Sequence, residues 1–85
     1  MSAEEVRQYV FENYIKPAKA RGTKELTIVS GELHDRMRLK SRIPLICEVL
    51  RGQKLQDAYN VSLLREIRLP SVQKDSSTNK FIFKL

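Results

Sequence analysis

An α+β fold, with helices in the first two thirds and a small sheet completed at the C-terminus, is predicted for this 85-residue chain by three observations. A capping box opens a helical apolar pattern at the N-terminus. Two short helical patterns joined by a tight basic turn occupy Ser30 to Lys54. Strand-like segments stand at Glu25–Val29, Ser62–Leu69 and Phe81–Leu85, the last two divided by a polar loop. At 41% hydrophobic and 31% charged, with three Gly and three Pro, the composition is that of one folded domain, residues 1–85, rather than a disordered tail.

The first helix is announced by Ser2-Ala3-Glu4-Glu5, in which the Ser2 hydroxyl can accept from the Glu5 amide while Glu5 reaches back. Val6, Tyr9, Val10, Asn13 and Tyr14 follow at helical spacing, and Phe11 and Ile15 widen the apolar face, so the helix is expected to reach at least Ile15. An interior proline loses a hydrogen bond and clashes with the carbonyl four residues back. Pro17 therefore either kinks the helix or opens a separate last turn ending near Gly22. Glu25-Leu26-Thr27-Ile28-Val29, rich in β-branched residues and bounded by Gly22 and Ser30-Gly31, is too short for a helix and reads as a strand.

Ser30 is expected to cap a second helix with Leu33 and Met37 inward, and Ser41 a third whose Ile43, Ile46, Cys47 and Leu50 form an apolar stripe. Arg38-Leu39-Lys40 between them is a turn. Gly52 is placed to stop the third helix, and Lys54 to Tyr59 make a further short turn of helix before Asn60. Leu63, Ile67 and Leu69 should line one face of the next strand, with Arg65 a misfit on that face. Phe81, Phe83 and Leu85 point inward from the last. Pro70 to Lys80 is a long polar hairpin loop. The expected core is Val6, Val10, Ile28, Leu33, Ile43, Ile46, Leu50, Ile67, Phe81 and Phe83.

Two capped helices about a tight turn are a helix-turn-helix signature. With the strands, the order becomes helix, strand, helix, helix, strand, loop, strand, which is similar to the winged helix-turn-helix domain over nearly the whole chain. The runs Gly31-Glu32-Leu33-His34-Asp35 and Leu39-Lys40-Ser41-Arg42-Ile43-Pro44-Leu45-Ile46-Cys47 resemble small prokaryotic winged-helix modules found alone or beside restriction-type nucleases. That resemblance implies a DNA-associated module, such as a transcription regulator, with no chemistry of its own, the polar loop being the wing.

Charge points the same way. Arg36, Arg38, Lys40, Arg42, Arg51 and Lys54 face one acid, Glu48, within Arg36–Lys54, and the whole chain carries +6. Double-stranded DNA is the expected partner, held mainly by phosphate contacts from Arg38, Lys40, Ser41, Arg42, Arg51 and Lys54, with Lys74 and Lys80 added from the wing. Sequence readout should be modest: the outward face of the third helix offers Arg42, Leu45, Glu48 and Val49, of which only Arg42 suits bidentate base recognition. The competing expectation is a protein-interaction or dimerisation face built on Leu45 and Val49. One Cys and one His supply neither a metal site nor a nucleophile with its base, so no enzyme, metal or cofactor is expected. The absence of a long apolar run and of a signal-like N-terminus leads to a cytoplasmic expectation with no membrane partner.

Overall fold

The computed structural model describes all 85 residues. In chain order the elements are α1 (Ala3–Val10), a π-helical turn (Phe11–Ile15), α2 (Lys16–Ala20), β1 (Glu25–Val29), α3 (Ser30–Arg36), α4 (Ile43–Arg51), α5 (Gln53–Tyr59), β2 (Ser62–Ile67) and β3 (Lys80–Lys84). The sheet is antiparallel, with β3 between β1 and β2. The α+β class is therefore as expected. No helix is long and apolar enough to cross a membrane.

The Ser2 capping box forms, Glu5 N donating to Ser2 Oγ and Ser2 N to Glu5 Oε1. Pro17 stands in the first turn of a last short helix that ends before Gly22, the second of the two expected outcomes. The preceding turn widens to the π form, with Lys16 N donating to Phe11 O, and Pro17 enters at the first turn of α2, where its missing N–H costs least. Asn13 Nδ2 bonds the Tyr9 carbonyl on the same rod. Lys19 Nζ then ties its end to the carbonyls of Tyr59 and Asn60 at the end of α5.

Strand register fixes which side chains form the core. On the inner sheet face Leu26, Phe83 and Leu63 make one row and Ile28, Phe81 and Glu66 the next. Phe81 and Phe83 are fully buried, together with Val6, Val10, Ile15, Leu33, Ile46, Cys47, Leu50 and Leu55. Ile43 packs on this core only partly.

Four expectations are corrected. Ile67 is 44% exposed and outside the core, and Leu69 is also exposed, because a β-bulge between Leu63 and Arg65 inserts Leu64 and reverses the facing of everything after it. Glu66 thus takes the inner position, and the misfit Arg65 points out. Ser30 is not a cap: it is the first residue of α3, fully buried, and its hydroxyl donates to the Ser76 carbonyl. Ser41 is not a cap either. It sits at φ 53 in the left-handed region, two residues before α4, whose N-cap Arg42 provides no side-chain bond. Val49 is 4% exposed and belongs to the core, in a helix that packs closely on α1.

The long β2–β3 loop is half anchored. Its later part lies against α3 and α4: Ser30 N donates to Asn79 O at 3.0 Å, and Gly31 N to Ser77 O at 2.9 Å. A Cβ on Gly31 would stand 2.6 Å from the Ser77 carbonyl oxygen, so only glycine permits this approach. Residues 68–73 are exposed throughout.

Candidate nucleic-acid interface

The α3–α4 turn is built so that its apolar residues anchor and its basic ones project. Met37, Leu39 and Ile43 are partly buried against the core, whereas Arg38, Lys40, Ser41 and Arg42 are exposed. Arg38 at φ 56 and Ser41 at φ 53 give the turn its two left-handed residues, each a costly conformation for a side chain with a Cβ. His34 holds that conformation. Its carbonyl accepts from Leu39 N at 3.2 Å, and its ring Nε2 accepts from Arg42 N at 3.1 Å. The other ring nitrogen, Nδ1, lies 3.9 Å from Asp35 Oδ1. The His34 side chain is largely buried, 13% exposed.

None of Arg38, Lys40 and Arg42 enters an ion pair. Immediately after them α4 begins without a side-chain cap, with Pro44 in its first turn. Free amide hydrogens and the positive end of the helix dipole therefore stand beside three unneutralised cations, an arrangement suited to phosphate oxygens. Lys74 lies across a cleft of about 580 Å³ bounded by Ile43 and Pro44 on one side and Gln73 to Ser77 on the other. The loop lysine and the start of α4 therefore share one opening.

Other expected contact residues are elsewhere. Arg51 is taken up internally: its Nε and Nη2 donate to the two oxygens of Glu66 at 3.1 and 2.7 Å, and its Nη1 to Asp75 Oδ1 at 2.9 Å. The bidentate Glu66 pairing raises the Arg51 pKa above its ordinary value, with Asp75 adding to the effect. Asn79, fully buried, completes the cluster, Nδ2 donating to Lys74 O at 2.7 Å and lying 3.3 Å from Glu66 Oε2. Arg51 is thus removed from the phosphate-contact set. Lys54 borders a different cleft, between α1 and the α4–α5 junction, with Arg7 and Glu48. Lys80 lies on the outer sheet face between Val29 and Ile67. The sequence signal for the Arg51 cluster was Glu66 itself: a lone acid in an apolar strand becomes an inward charge once Leu64 bulges.

On α4 only Pro44 and Glu48 are exposed, Leu45 being half-buried. Cys47 is fully buried and free, and burial pushes its thiol above the ordinary range. No cluster of three or more His, Cys, Asp or Glu is placed to hold a metal ion. No protein-family model matches the chain, and no curated protein or solved structure is found similar to it.

Proposed function

We propose that this chain is a winged-helix-type module that binds double-stranded DNA, gripping phosphates with its α3–α4 turn and the start of α4 and selecting sequence weakly. The observation that carries the reading is the turn itself: Arg38, Lys40 and Arg42 are held outward by His34, unpaired, beside an uncapped helix start. The element order, the β1-β3-β2 sheet and the long loop with Lys74 at the same cleft are compatible with a winged helix. Weak selection follows from α4, where Pro44 offers no hydrogen bond and Glu48 can only accept, from a cytosine or an adenine amino group in the major groove. Val49 lies in the core and Leu45 is half-buried, which leaves no apolar pair on α4 for a protein partner to dock on.

The test is fluorescence anisotropy of a random-sequence duplex across a salt series. Affinity should fall with a logarithmic slope of about 0.9 per phosphate neutralised, and Lys40→Ala with Arg42→Ala should flatten it by roughly two contacts. An affinity indifferent to salt, or a double variant that binds like the parent, removes DNA from the reading.

A further inference from the structure

The sheet face turned away from the helices is a grid set by register: Glu25, Lys84 and Ser62 in one row, Thr27, Ile82 and Arg65 in the next, Val29, Lys80 and Ile67 in the last. Arg65, Lys80 and Lys84 are exposed and none forms an ion pair, Glu25 included among the groups that leave Lys84 free. Lys80 and Lys84 stand four residues apart on an extended strand, about 13 Å, with Arg65 on the neighbouring strand about 5 Å to the side. Duplex DNA presents one negative charge for about every 1.7 Å of axis, so such a triangle faces several phosphates at once.

The surroundings favour DNA over the other acidic partners. Around Ile82 the nearest residues on the same face are Lys80, Lys84, Arg65 and Thr27, and the exposed bulge residue Leu64 shares a cleft with Glu25 and Lys84, so the aliphatic groups Val29, Leu64, Ile67 and Ile82 are interspersed with charges instead of forming the contiguous apolar core of a protein interface. No aromatic residue lies on the grid, which removes base stacking by a single strand. A second copy would bring three cations against three.

We infer that this outer sheet face is a second duplex-DNA site and that one molecule joins two duplexes, an inference that rests on the α3–α4 turn being the first site. The turn belongs to the helical layer and the triangle to the opposite side of the sheet, so a straight duplex seated on one leaves the other open.

The experiment immobilises one duplex of random sequence and measures retention of a second, fluorescent duplex by the full chain. Single-duplex affinity is measured in parallel by anisotropy, and self-association by sedimentation. Wild type should retain the second duplex. The variant Arg65→Glu/Lys80→Glu/Lys84→Glu, altered only at exposed positions and checked by thermal melting, should lose at least about ten-fold in retention, while the single-duplex salt slope still responds to Lys40→Ala/Arg42→Ala. Single-duplex binding without retention of the second overturns the inference and leaves the turn as the DNA site. Absence of any duplex binding overturns the turn reading with it. Undiminished bridging by the triple variant, as a one-site dimer would give, also overturns the second site. So does triad-dependent binding of labelled polyglutamate without bridging, which would assign the face to an acidic protein.

Discussion

Arg51 illustrates how a residue of the expected type at the expected place can serve another purpose. Its side chain is 26% exposed and neutralises Glu66 and Asp75, which are 15% and 29% exposed, so its removal strands two carboxylates in a partly desolvated site. Arg51→Ala should therefore destabilise the fold by about 2–3 kcal/mol in urea titrations. Arg51→Lys should recover only part of that, because an ammonium cannot make the forked contact to Glu66. A loss under about 0.5 kcal/mol would show that the cluster contributes nothing to stability. Cys47 gives a second test. Burial raises its folded pKa above the unfolded value, so its contribution to stability is present below that unfolded value, near 9, and declines as pH rises through the folded one. At pH 8 a disulfide reagent should label Cys47 slowly in the native protein and rapidly in urea. Equal rates would mean that the thiol is not enclosed. Neither role could be read from spacing alone, since a helical stripe reveals that Cys47 faces inward but not what the loop lays over it.

Among the elements, the helices and strands were legible where a single periodicity held to their ends. The Ser2 box, the Glu25–Val29 strand, the α4 stripe and the Phe81–Leu85 alternation all rest on short-range patterns that the tertiary structure keeps. What was not legible is where the pattern changes phase. The π turn admits Pro17 by adding one residue to a helical turn, and Leu64 admits Glu66 to the inner face by adding one to a strand. Both are one-residue insertions, invisible to a fixed period, although Arg65 at an apparently inward position was the mark of the second. Deleting Leu64 removes the extra residue and should leave Leu63 and Glu66 facing in and Arg65 and Ile67 facing out in unbroken alternation, so that the Arg51–Glu66 pairing survives. Leu64 is exposed, so the expected cost is only about 1–2 kcal/mol and the domain should still unfold cooperatively. A deletion variant in which Arg51→Ala no longer costs stability in thermal melts would show that Glu66 has left the inner face.

For the whole molecule, the basic segment seen in the sequence separates into surfaces that do different things. The turn residues Arg38, Lys40 and Arg42 remain together with Lys74 at one cleft, Lys54 and Lys80 move to other faces, and Arg51 turns inward. Linear charge density located the candidate site but not its limits, because those depend on how α5 and the sheet turn away from α4. The half-anchored β2–β3 loop also divides the chain by its tolerance for added sequence. A flexible insert between Pro70 and Val72 lengthens a segment with no anchoring side chain, and each doubling of loop length costs only about 0.6 kcal/mol. The same insert between Ser76 and Asn79 would part the two ends of the clasp that Ser30, Gly31 and Asn79 make with one another. A small epitope tag at the first position should leave the melting curve and duplex binding nearly unchanged, and at the second should abolish both. The tip of this loop is therefore the natural place to attach a fluorophore or fusion partner without disturbing the fold.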